Sequence, residues 1–332
     1  MRLVLCLSTW LCLSTAGLSA AIGELPTTGF RAVDYEPALR SRNRPAARWT
    51  DLRCTILKQE GDWLWIHSFD GKEGWLRNGE VVPLDRAEQF FTQKIAADPN
   101  NTFWYQSRAN VRQELGDLDT ALDDLGEAIR RQPENHYLLN NRATVYEAQK
   151  KYEEAIADYN AALKLSPNDP VYWANAAATR LRMKDYGKAV ANADRAIALD
   201  AQFPVAYRIR AIALAFQGNG QRALDDFTQA ARLDPSGPSS YASPAWTQAT
   251  CPVDACRNGK KAVELATHAC ELTGWKDSWC LDVLGAAYAE AGDFANATKY
   301  AKKAEELASA VDKPEISKRL ELYGTKQPYR DE

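Results

Sequence analysis

The sequence predicts a mainly helical chain, a stack of antiparallel helical hairpins preceded by a small β domain. Two observations carry that expectation. Through the middle of the chain runs a period of 34 residues: Pro99, Pro133, Pro167 and Pro235 share one register, with Ala201 in the one place where the proline is missing. Ahead of it, LRCTILKQEGDWLWIHSFDGKEGWLRNGEVVPL consists of short apolar runs rich in β-branched and aromatic residues, separated by turn signals such as Asp70-Gly71. At 332 residues and 45% hydrophobic content the chain is long enough for more than one packed core. Its formal net charge of -3 gives no electrostatic reason to expect nucleic acid as a partner.

Residues 1–21, MRLVLCLSTWLCLSTAGLSAA, combine Arg2, an apolar run from Leu3 to Leu13 and the small residues Ser19, Ala20 and Ala21. That is the pattern of a secretory signal peptide, with release expected after Ala20 or Ala21 and an exported, periplasmic or secreted, product. The apolar run is too short to serve as a stable membrane anchor, and neither Cys6 nor Cys12 stands in a lipoprotein pattern. Residues 22–48 contain Pro26, Pro37, Pro45 and five arginines, and read as an extended arm. Residues 49–85 are the β domain, whose start is left open to include part of the arm. Residues 86–101 supply half a repeat unit, with Ala87 and Phe91 in register.

Four full units are expected over 102–235. Small residues recur at Ala109, Ala143, Ala177 and Ala211, at Ala121, Ala155, Ala189 and Ala223, and at Ala128, Ala162, Ala196 and Ala230. Small side chains let two antiparallel helices approach closely, and a proline stops the second one. Residues 236–276 read as a degenerate hairpin with an enlarged CPVDACRNG turn. A final unit over 277–310 is marked by Leu281, Leu284, Gly285, Tyr288, Gly292, Ala297 and Ala304. Over 311–332, Ile316, Leu320 and Tyr323 form a stripe at helical spacing, expected to be a closing helix that covers the open end of the stack.

The repeated unit resembles the tetratricopeptide repeat family, with Tyr105, Trp173 and Tyr207 at the aromatic position of the first helix and Leu139 there in the second unit. The β region, with Gly61-Asp62-Trp63 and Gly74-Trp75-Leu76, resembles the bacterial SH3-like barrel. The AWTQATCP, GKKAVELATHACELTGWK and GAAYAEAGDF stretches complete a likeness to exported bacterial proteins that join such a module to such repeats. The resemblance implies protein interaction rather than catalysis. It also implies that the first helices line a concave face, through Phe103, Gln106, Asn110, Tyr137, Asn140, Asn141, Thr144, Val171, Ala174, Ala178, Val205, Arg208 and Ile212. Amides and aromatics suit a peptide backbone, alanines leave room for apolar side chains, and Arg208 suits a carboxylate. The clamp that some family members use for a C-terminal carboxylate is incomplete, since Gln106 and Val171 stand where lysines are needed, although Asn110 and Asn141 match.

No P-loop, nucleophile elbow or His-Glu-x-x-His motif occurs, and His67, His136 and His268 are far apart, so the chain is read as a non-enzyme with no cofactor. No metal is expected either: His268 and Cys270, two apart on a helix, point to nearly opposite faces. Arg108, Arg142 and Arg210 each stand sixteen residues before Asp124, Asp158 and Asp226; where alanine replaces the arginine the partner is Asn192, and where leucine does it is Tyr300. The two columns change together, as touching positions across a hairpin would, which makes the arginines structural pairs. The alternative is an arginine aimed at an acidic ligand. For the cysteines the expected bridges are Cys270 to Cys280 and Cys251 to Cys256, the rival is Cys251 to Cys270, and the remaining possibility is four reduced thiols; Cys54 is expected as a buried strand thiol. The β domain has two readings: a cap on the stack, or a binding module for cell-wall polymer or a peptide through Trp63 and Trp65.

Overall fold

Backbone pairing orders the first part of the chain. The computed structural model describes residues 27–31, 38–41, 44–48, 53–68, 73–77, 81–308 and 312–331; the stretch read as a signal peptide and the Asp70-Gly71 turn lie outside them. The described residues fall into two compact units, one ending at Pro167 and one beginning at Asn168.

In the first unit the strands are β1 (Thr27–Arg31), β2 (Ala38–Ser41), β3 (Arg44–Arg48), β4 (Arg53–Glu60), β5 (Trp63–Ser68), β6 (Glu73–Arg77) and β7 (Val81–Pro83). They form one seven-stranded sheet of order β3-β2-β6-β5-β4-β1-β7, antiparallel at every pairing. Three strands therefore come from the stretch read as an arm. Its prolines do not prevent this: Pro45 lies in β3, at the edge of the sheet, where a missing N–H costs no ladder bond, and Pro83 lies in β7 at the other edge. Gly61 (φ +61°) and Asp62 make the two-residue turn between β4 and β5, with glycine at the first position, where a positive φ is needed. One face of the sheet buries Cys54, Leu64, Ile66, Leu76 and Val81.

Helices α1 (Leu84–Ala97), α2 (Thr102–Leu115), α3 (Leu118–Arg131), α4 (His136–Ala148) and α5 (Tyr152–Leu165) complete this unit. Val82 of β7 packs with Ala87, Phe91, Trp104 and Val111, so the sheet and the first helices share a core. The second unit contains α6 (Pro170–Arg182), α7 (Tyr186–Leu199), α8 (Pro204–Phe216), α9 (Gly220–Leu233), α10 (Ser239–Thr250), a 3-10 turn (Asp254–Cys256), α11 (Gly259–Leu272), α12 (Ser278–Glu290), α13 (Phe294–Leu307) and α14 (Lys313–Gly324). Among the described residues no helix is long and apolar enough to cross a membrane.

Helix ends follow the sequence period with two refinements. Three first helices start on side-chain caps: Asn101, Asn135 and Asp169 accept hydrogen bonds from Phe103 N, Tyr137 N and Val171 N, whereas α8 starts at Pro204 with no side-chain cap. Second helices stop two residues before Pro99, Pro133, Pro167 and Pro235, but α7 stops at the same point before Ala201. There Asp200 N still donates to Ala196 O, and the Asp200 carboxylate accepts from Gln202 N at 2.9 Å. A turn-forming side chain thus replaces the proline as terminator. Every hairpin but α10–α11 also turns through a left-handed residue at the same place in its unit: Gly116, Lys150, Lys184, Gly218 and Gly292. Two of these are lysines, whose Cβ makes the conformation costly by about 1 kcal/mol or more.

The small-residue columns do pack as expected. Ala109, Ala121 and Ala128 meet in one core, and Ala211 and Ala223 in another. Gly285 shows how tight the approach becomes, because a Cβ there would stand 3.2 Å from Ala297 O.

Candidate functional site

The arginine column sits where the hairpins are braced. Arg142 Nε and Nη2 each donate to an Asp158 carboxylate oxygen at 2.7 Å, a two-pronged fork, and the hydrogen bond to Asp158 is the main cause that raises the guanidinium pKa. Arg210 makes the same fork on Asp226, at 2.7 Å twice, and reaches Asp194 at 2.6 Å. Arg108 grips Asp124 at 2.9 and 2.6 Å and reaches the Thr92 hydroxyl, while Arg112 also donates to Asp124 at 2.9 Å and to Glu88 at 3.0 Å. These arginines hold a hairpin closed and are committed to protein carboxylates. For Arg142→Ala and Asp158→Ala we expect a double-mutant coupling of about 1 to 2 kcal/mol, because the pair is only partly buried. Zero coupling in urea denaturation would make the fork energetically idle.

The residues expected to line a ligand face divide by accessibility. In the first unit Phe103, Gln106, Asn110, Tyr137 and Asn141 are half-buried, whereas Asn140 and Thr144 are buried. Asn140 donates to the Asn141 side chain at 3.4 Å and the Thr144 hydroxyl to Asn141 O at 2.7 Å. Phe103 meets Trp104 edge to face. The amides of Gln106 and Asn110, one helical turn apart on α2, make no hydrogen bond to a described residue. In the second unit Ala174, Ala178 and Arg208 are buried and Val171, Val205 and Ile212 half-buried. Short side chains at these places let neighbouring helices close over them, so part of the expected groove is packed.

Arg208 on α8 is the exception in chemistry. It is 5% exposed, with no hydrogen bond or ion pair to a described residue. Desolvation pushes its guanidinium down to about 10, and Asp234 is the one charge that opposes the shift.

Sequence reasoning missed a second polar constellation in this unit. Arg319 of α14 forks onto Asp282 of α12 at 2.6 and 3.1 Å, both buried, and its guanidinium lies over the rings of Trp246 and Tyr329. A signal for part of it was present: Trp246 stands 34 residues after Ile212, one period beyond the last residue assigned to the ligand column.

All five described cysteines are free thiols where the sequence reading bridges two pairs. Cys270 and Cys280 are buried in one core, with burial pushing the Cys270 thiol up to about 12 and Cys280 higher, so both stay protonated and unreactive at neutral pH. Cys251 and Cys256 both face Ala215 O, at 4.0 and 3.3 Å. Cys54 is buried in the sheet. Among the described residues no group of His, Cys, Asp and Glu side chains could hold a metal ion.

Comparison with known proteins agrees with this architecture. A tetratricopeptide repeat family model matches residues 107–170 and 175–238. The structure is similar to that of a tetratricopeptide repeat protein from Parabacteroides merdae ATCC 43184, with a TM-score of 0.57 at 19% identity, covering 73% of this chain and 92% of that one. It is also similar to yeast Tom70, with a TM-score of 0.50 at 13% identity, covering 73% of this chain and 59% of that one. A thermophilic repeat protein of Thermus thermophilus gives a TM-score of 0.50 at 20% identity, covering 57% of this chain and 98% of that one. At such identities the likeness is one of fold. No curated protein matches the chain.

Proposed function

We infer, from a mainly helical chain that carries tetratricopeptide repeats between residues 107 and 238, that it is a non-catalytic interaction scaffold binding a segment of another protein on the faces of its first helices. Tetratricopeptide repeats are as a class binding scaffolds. The observation that carries the reading is Arg208. A buried guanidinium with no ion pair to a described residue, and only the Asp234 charge against its desolvation, is costly unless something else supplies a counter-ion, and a partner's carboxylate does so with two parallel hydrogen bonds. On the first unit the unused amides of Gln106 and Asn110 match the spacing at which an extended backbone offers donors and acceptors.

The test is affinity capture from the exported fraction, comparing the mature chain with an Arg208→Ala variant. The expected outcome is a discrete partner held at least ten times less well by the variant. Equal recovery by both would transfer the function to another surface. Export itself rests on the signal-peptide pattern of residues 1–21.

For residues 49–85 we favour the SH3-like capping role, supported by Val82 in the core of the first helices. A second reading has its own observation. Trp65 and Trp75 meet edge to face at 5.3 Å and Arg77 lies over Trp63, on the side of the sheet opposite the buried Leu64 and Ile66. Such a face suits cell-wall polymer. Co-sedimentation of the full chain with wall polymer, lost in Trp63→Ala/Trp65→Ala, would establish it.

A further inference from the structure

Residues 325–331 do not trail away from α14. Lys326 takes a left-handed conformation and Gln327 N donates back to Leu322 O, which reverses the chain. Three consecutive residues then each make a specific contact with α10 or α12. Tyr329 lies 5.7 Å from the Trp246 ring, with the Arg319 guanidinium over both. Arg330 pairs with Glu290 at 2.7 Å and donates to Ala249 O at 3.3 Å. Asp331 N donates to Thr250 O at 2.9 Å, and its carboxylate accepts from Trp246 Nε1 at 3.0 Å. Backbone pairing combined with alternate side chains set in their own contacts is the way an extended peptide is recognised.

The place matters as much as the contacts. Trp246 belongs to the register of Asn110, Thr144, Ala178 and Ile212, the column assigned to ligand contact. The held carboxylate is also poorly compensated. Asp331 forms no ion pair with a described residue, the fork of Arg319 is committed to Asp282, and burial pushes the Asp331 carboxyl up against the opposing Trp246 hydrogen bond and the Arg319 and Lys184 charges. A half-buried acid whose one side-chain hydrogen bond comes from a neutral N–H gains from release into water, so the segment is suited to being displaced.

We propose that Tyr329–Asp331 is an intramolecular ligand that covers a peptide site on α10 and α12, and that the partner is a protein segment of the same chemistry, an aromatic, a basic and an acidic residue in succession. This rests on the scaffold reading above and names the partner's chemistry for one surface of it. A tethered ligand competes at high effective concentration, so the covered site answers only to a segment that binds better or is locally abundant.

The probe is a fluorescein-labelled, C-terminally amidated peptide of residues 325–332, TKQPYRDE, followed by fluorescence polarisation. A chain ended at Lys326 is expected to bind it at least tenfold more tightly than the full chain. Asp331→Ala in the full chain should recover part of that gain, and Trp246→Phe in the shortened chain, which removes the indole N–H, should weaken binding. Circular dichroism and a cooperative melt establish that the shortened chain is folded. If it is folded and binds no better than the full chain, the segment is a structural strap and the proposal fails. If it does not fold, Asp331→Ala decides, and no gain in peptide binding by that variant overturns the proposal. Peptide binding reads this site alone, so its failure leaves the Arg208 capture experiment standing, and loss of capture with peptide binding intact removes only the wider reading.

Discussion

Asp282→Ala is expected to lower stability by about 3 to 5 kcal/mol, the largest effect of any single substitution considered for this protein. Asp282 is 1% exposed and its two oxygens take the Arg319 fork, while Arg319 is itself 9% exposed. Truncation leaves a guanidinium against the Trp246 and Tyr329 rings without the carboxylate that its fork hydrogen-bonds. The cost is mainly that of a stranded charge, so removing both partners should cost less than removing one: Asp282→Ala/Arg319→Met should regain a large part of the loss. Urea denaturation followed by circular dichroism reads both variants. A loss below about 1 kcal/mol for Asp282→Ala would mean that water reaches Arg319 and that the pair is not buried in solution.

Asp124→Ala ranks second, with an expected loss of about 2 to 3 kcal/mol. Its side chain is 4% exposed and takes hydrogen bonds from two arginines, Arg108 and Arg112. The figure falls below that for Asp282 because neither arginine is left without a partner: Arg108 keeps the Thr92 hydroxyl and Arg112 keeps Glu88. That difference can be measured. Asp124→Ala combined with Thr92→Val and Glu88→Gln should cost more than the separate losses add up to, since it removes the fallback partners together. Strict additivity would show that the network is a set of independent contacts.

The hairpin stack was legible because each unit solves the same packing problem with residues at fixed offsets. Alanine columns, prolines and the Arg–Asp pairing are local to one hairpin, so a 34-residue period displays them side by side. What escaped were pairings with no repeat behind them. Asp282 and Arg319 are 37 residues apart and occur once, so no second copy advertised them. Strands β1 to β3 lack the apolar alternation of a half-buried strand, and their order comes from backbone bonds to distant partners such as β4 and β6. The lysines at Lys150 and Lys184 hid a turn position that glycine marks at Gly116, Gly218 and Gly292. On the ligand face the register told which residues share a column, but not which of them neighbouring helices would cover, since burial of Asn140 and Arg208 depends on how closely the helices pack.

The returning segment has a consequence for the order of assembly. Hairpins close through contacts between near neighbours in the chain, whereas Asp331 meets Trp246 across 85 residues and finds its place only once α10, α12 and α14 are side by side. Its contacts therefore belong to the late side of the folding barrier. Loosening them shortens the lifetime of the native state and leaves the speed of reaching it unchanged, which makes residues 325–331 a latch on kinetic persistence rather than a guide to the fold.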